Sequence, residues 1–119
     1  MLRLALLVIL INIVVSQGES GLDVPYILLS FQMTRAERVE FYVACAVNQG
    51  SCDSVGNDLK PVMIDLVTTR KCSTCKTNRE KRNFRYLLKT IPRKYPKCWR
   101  VMTAKFVHRR NLSIVGCAK

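Results

Sequence analysis

Cys45-AVNQGS-Cys52, then nineteen residues, then Cys72-Ser-Thr-Cys75 is the stretch from which the fold is read. Each cysteine pair is close in sequence, and together they flank one strongly amphipathic segment. Within it Leu59, Val62, Met63, Leu66 and Val67 recur at three- and four-residue steps, the spacing of a helix with one apolar face. Crosslinks here are expected to be short staples at helix ends rather than ties between distant elements. The chain's six cysteines still allow fifteen pairings, and spacing alone does not choose among them.

Toward the N-terminus, Thr34-Arg-Ala-Glu37 fits a capping box, and Val39, Tyr42, Val43, Ala46 and Val47 follow at helical spacing as far as Gly50. Before it, Gly21 and Pro25 break the pattern around the apolar run Tyr26–Phe31, which reads as an extended lead into a short helix. In the central segment Pro61 is tolerable only in a first turn, so that helix is expected to start at Leu59 or Lys60. The next runs from about Ser73 to Ile91, with Phe84, Leu87, Leu88 and Ile91 on one face and Pro92 ending it. Tyr95, Cys98, Trp99, Met102 and Phe106 repeat the spacing once more, and from about 107 the chain becomes an irregular basic tail. No stretch alternates with period two, so the class is all-α: a compact bundle of about five to six amphipathic helices stapled by local disulfides.

The first residues predict the compartment. Met1-Leu2-Arg3 is a short positive start, Leu4 to Val15 is nearly all aliphatic, and Ser16-Gln17-Gly18 offers small residues for cleavage. Twelve residues at 1.5 Å each reach about 18 Å, short of a roughly 30 Å bilayer core. Residues 1–18 therefore read as a secretory signal peptide and 19–119 as one exported helical domain, with no transmembrane segment and with disulfides retained outside the cell.

Several chemistries are disfavoured. His108 is the only histidine and lies in the basic tail, which leaves no metal cluster, and a Ser or Cys triad would have to depend on it. The Cys72-x2-Cys75 pair lacks a second zinc half-site, and no β-α-β pattern surrounds it to hold a redox pair. No catalytic residue, metal or cofactor is expected. Nucleic acid is a poor partner for an exported chain without a binding motif.

Charge is the other large signal. The formal net charge is +12, and Arg70 to Arg110 holds fifteen Lys or Arg against one acid, Glu80. Lys81, Arg82, Arg85, Lys89, Arg93, Lys94, Lys97 and Arg100 make a candidate basic surface for anionic lipid or polyanions. Asn111-Leu-Ser113 is a glycosylation acceptor sequon.

Tyr42-Val-Ala-Cys45, Gly50, Cys52, Cys72-x2-Cys75, the Lys/Arg-rich helix ending in Leu87-Leu88-Lys89-x2-Pro92, Trp99 and Ala104-Lys105-Phe106 together resemble the insect chemosensory protein (OS-D) family. The likeness covers roughly Arg35 to Phe106. It implies a bundle of about six helices, disulfides between adjacent cysteines (Cys45 with Cys52, Cys72 with Cys75), an internal apolar channel for lipids and semiochemicals, and no enzymatic activity. Cys98 and Cys117 are additions to that pattern. They would close a twenty-residue loop, for about 3 kcal/mol in the loop-entropy model, or link two chains of an otherwise monomeric protein.

From periodicity alone the apolar faces read as core. The resemblance turns Tyr42, Val43, Val47, Val62, Met63, Leu66, Leu87, Leu88, Ile91, Trp99 and Met102 into candidate pocket residues, methionine and aromatics suiting a promiscuous apolar site. The expected function is a secreted carrier of small hydrophobic or amphiphilic ligands. The alternative is a cationic secreted protein of defence type that binds anionic membranes or polyanions.

Overall fold

The computed structural model describes residues 22–119, so the expected leader, 1–18, lies outside the described residues. Among the described residues five helices follow one another: α1 Tyr26–Met33, α2 Ala36–Ala46, α3 Ser54–Val67, α4 Asn78–Lys94 and α5 Pro96–Phe106. Among the described residues there is no strand, and no helix is long and apolar enough to cross a membrane.

Local chemistry explains each boundary, and four differ from the sequence expectation. Helix α3 begins at Ser54, five residues before the expected Leu59, because the Asp53 carboxylate accepts from Gly56 N at 2.6 Å and caps it there. Pro61 then sits inside the helix, where it costs roughly 3 kcal/mol. Burial of Leu59, Val62, Met63, Leu66 and Val67, at roughly 1.5–3 kcal/mol each, outweighs that loss.

Thr34 does not cap α2. Its backbone is helical (φ −83°, ψ −11°), which turns its hydroxyl back to donate to the Phe31 carbonyl at 2.6 Å, so it closes α1 instead. Arg35 takes the N-cap position of α2, and its guanidinium pairs with Glu37 at 3.2 Å. A complete capping box does form at the start of α4, where Thr77 Oγ1 accepts from Glu80 N and Thr77 N donates to Glu80 Oε1, each at 3.1 Å. That pins the start at Asn78 rather than Ser73, leaving residues 73–77 for the cystine turn.

Helix α4 also passes through Pro92 and stops at Lys94. Pro92 removes only the amide bond to Leu88, whereas Pro96 drives the residue before it out of the α region: Tyr95 has φ −128° and ψ 63°. Pro96 then occupies the first turn of α5, where no amide is missed.

The disulfides are Cys45–Cys52, Cys72–Cys75 and Cys98–Cys117, and no described cysteine is free. The first closes the α2–α3 loop, and α2 and α3 form the closest helix pair of the bundle. Gly56 is part of that fit, since a Cβ there would stand 3.1 Å from Cys45 Sγ and 3.2 Å from Asp53 Oδ1. The third disulfide anchors the tail. Gln49 also grips it, donating from Nε2 to the Leu112 carbonyl at 2.6 Å and accepting from Ile114 N at 2.9 Å. The tail is thus irregular, as expected, yet Ile114, Cys117 and Ala118 are buried.

Candidate functional site

Helix α1 differs from the rest. The octet YILLSFQM carries no charge, and only Met33 of it is buried. Five polar and aromatic contacts hold it and its lead over α4. Asn83, fully buried, donates from Nδ2 to the Leu22 and Val24 carbonyls at 2.7 and 2.8 Å. Arg79 pairs with Asp23 at 2.5 Å. The Tyr26 and Tyr86 rings meet edge to face with centroids 5.0 Å apart. The Tyr95 hydroxyl donates to the Met33 carbonyl. These contacts fix the ends and one flank of α1, while Met33 and, in part, Leu29 pack on the core beside the space beneath the helix.

Under it lies a cavity of about 280 Å³. Its walls come from Val24 and four helices: Leu28, Leu29, Gln32 and Met33 of α1; Arg38, Val39 and Tyr42 of α2; Val55, Leu59 and Met63 of α3; Leu87 and Ile91 of α4. The lining is apolar except for Gln32, Arg38 and the Tyr42 hydroxyl. Gln32 and Arg38 are exposed as well as lining, which puts them at the mouth. The Tyr42 hydroxyl points to Asp53 Oδ2 at a long 3.5 Å, and burial, reinforced by the Asp53 charge, raises it above the ordinary tyrosine range. The chemistry on offer is a greasy slot with one cation and one amide at its entrance. Such a lining suits an apolar chain with a small polar head.

Four of the eleven pocket candidates from the sequence, Tyr42, Met63, Leu87 and Ile91, stand together on this wall. Val43, Val62, Leu66 and Met102 are buried in the close-packed core, and Leu88 and Trp99 are partly buried against it. Val47 lines a second, more open groove of about 430 Å³ that is otherwise largely polar, with Asn48, Gln49, Lys105 and Asn111 on its rim. The basic residues Lys81, Arg82, Arg85, Lys89, Arg93, Lys94, Lys97 and Arg100 are all exposed, and none of them lines the cavity. Its cation is Arg38, from α2.

The sequence candidates leave out Val24, Leu28, Leu29, Gln32, Met33, Arg38, Val39, Val55 and Leu59 of the lining. The available sign was α1 itself: an uncharged, mostly apolar octet whose apolar positions follow no stripe, as befits a helix that covers a cavity rather than packing into a core. Among the described residues no group of histidine, cysteine, aspartate and glutamate could hold a metal ion.

Neither the curated proteins nor the solved structures yield a match to this chain. The model of the insect pheromone-binding family, A10/OS-D, matches residues 23–113, a span that contains all five helices, two of the three disulfides and every wall of the cavity. The chain belongs to the insect pheromone-binding family A10/OS-D, a family of small-ligand carriers.

Proposed function

We propose that this protein is a secreted carrier of linear amphiphiles of the fatty-acid class, with the aliphatic chain in the cavity beneath α1 and the polar head at Arg38 and Gln32. The observation that carries this reading is the cavity: about 280 Å³, close to the lower end of ordinary ligand pockets, and apolar except for the Tyr42 hydroxyl and for Gln32 and Arg38 at the mouth. Each methylene taken from water into such a slot is worth about 0.8 kcal/mol, so affinity should rise about fourfold per carbon until the slot is full. A carboxylate at the mouth gains a charge-assisted hydrogen bond from the Arg38 guanidinium. Secretion is part of the proposal. It rests on the leader-like residues 1–18, on three disulfides and on membership of a family of secreted soluble proteins.

The test is displacement of a fluorescent apolar probe by a fatty-acid series at low and high salt. Saturable displacement that strengthens with chain length, then levels off, and that survives salt supports the carrier. Absence of probe binding, or binding abolished by salt, contradicts it and leaves the basic surface as the functional element.

A further inference from the structure

Helix α1 exposes a connected apolar surface: Tyr26 is 50% exposed, Ile27 76%, Leu28 54% and Phe31 57%. Helical geometry sorts these residues by direction. Ile27 and Phe31, one turn apart, point away from the bundle. Tyr26 lies on the flank toward α4, where it meets Tyr86. Leu28 and Gln32, again one turn apart, lie on the other flank and line the cavity.

Beside this surface runs a stripe of cations. Helix α4 touches α1 and its lead through Arg79, Asn83 and Tyr86. At about 100° per residue, Arg93, Arg82 and Lys89 follow about 20–60° further around α4 from Tyr86, on the side away from the buried Asn83. All three are exposed. Among the described residues the ion pairs are Arg35–Glu37 and Arg79–Asp23, so no described carboxylate neutralises this stripe. In sequence it belongs to the same strongly basic stretch that dominates the net charge of +12.

An uncharged apolar ridge flanked by unneutralised cations suits one surface well: a bilayer with anionic headgroups, whose acyl boundary accepts Ile27 and Phe31 and whose phosphates attract the stripe. A soluble polyanion would use the cations and leave the ridge in water. We infer that α1 and the Arg82–Lys89–Arg93 stripe form a docking surface for anionic phospholipid bilayers. Docking there brings the cavity mouth, at Leu28, Gln32 and Arg38, to the lipid boundary, so that an amphiphile passes between membrane and cavity under α1. This last clause rests on the carrier reading; the docking itself does not.

The experiment is co-sedimentation of the oxidised protein, as secreted into culture medium, with vesicles of phosphatidylcholine alone or mixed with phosphatidylglycerol. Retention on immobilised heparin and solution binding of an apolar probe are measured on the same samples. The protein should sediment with the mixed vesicles and far less with phosphatidylcholine alone. Substituting R82Q/K89Q/R93Q should weaken vesicle binding about a hundredfold, at roughly fivefold per cation. I27S/F31S should weaken it at least tenfold while leaving heparin retention, helical circular dichroism and probe affinity unchanged, since neither residue lines the cavity. Vesicle binding indifferent to I27S/F31S but lost with the cations would overturn the inference in favour of a simple polyanion surface, and no preference for anionic vesicles would overturn it outright. Vesicle binding by a protein that binds no probe would support the docking surface and sink the carrier reading alone.

Discussion

The two halves of the bundle interior are built from the same kinds of residue and end up in opposite states. Toward α3 and α5, the leucines, valines and methionines are close-packed: Val43, Val62, Leu66 and Met102 have essentially no exposed surface. Toward α1, Leu28, Leu29, Met33 and Met63 surround empty space. The difference lies in what holds the facing element. Helices α2, α3 and α5 pack broadly on one another, and two disulfides tie their ends. Helix α1 meets the core through Met33 and, in part, Leu29, and is otherwise held by a few polar and aromatic contacts at its edges, so much of its apolar side faces the cavity or solvent instead. An apolar face becomes a core or a pocket according to how its cover is anchored.

Truncation should separate the two sides most strongly. Leu66→Ala removes a side chain with no exposed surface and should cost about 2–5 kcal/mol in denaturant unfolding. Leu28→Ala, on the cavity side and half exposed, should cost under about 1 kcal/mol. Equal losses would mean that α1 packs as tightly as the rest. Next in size is the third disulfide. Replacing Cys98 and Cys117 together with serine should lower stability by about 3 kcal/mol in the loop-entropy model and free the tail for proteolysis, with the cavity little affected because neither residue lines it.

Much of the close-packed side was legible in the sequence. The run Leu59, Val62, Met63, Leu66, Val67 is buried where its spacing places it, because burial of one helical face is a local consequence of local sequence, and the two local cystines pair as the family resemblance implies. The boundaries were less legible. Thr34 and Thr77 each precede a glutamate by three residues, and only Thr77 caps a helix, because Thr34 is already the last turn of α1. Pro61 reads as a first-turn proline and Pro92 as a helix end, and both lie inside helices whose buried faces outweigh the lost bond. The cavity was half legible. Periodicity marks Met63, Leu87 and Ile91 as inward-facing, but inward-facing is equally true of Leu66. Only the placement of α1, set by Asn83, Tyr86 and Tyr95 far along the chain, decides which of them face a void.

A smaller effect tests the mouth. Arg38→Gln should weaken a fatty acid about tenfold while leaving the corresponding fatty alcohol within about twofold, in displacement titrations at one pH, because only the carboxylate gains from the guanidinium. Equal weakening of both would assign Arg38 a packing role instead.

The smallest effect concerns the anchor of α1. Burial raises the Tyr95 hydroxyl above the ordinary value of 10.0, with lesser contributions from Tyr86 and Glu37. The folded chain therefore keeps a proton that the unfolded chain releases. Stability from this group is complete below pH 10.0 and falls as pH rises through the folded value. Tyr95→Phe should remove that part of the alkaline decline in thermal melts, and an unchanged decline would place its origin elsewhere.

The most direct test of the account is apolar-probe binding by Met63→Trp and Leu66→Trp, two substitutions three residues apart on one helix. Met63 lines the cavity, so an indole there should fill it and lower probe affinity at least tenfold while the fold remains stable. Leu66 does not line the cavity, so its replacement should overpack the core, lowering stability by about 1–3 kcal/mol with the remaining folded protein binding normally. Full probe affinity in Met63→Trp would contradict the claim that the space beneath α1 is where this protein carries its ligand.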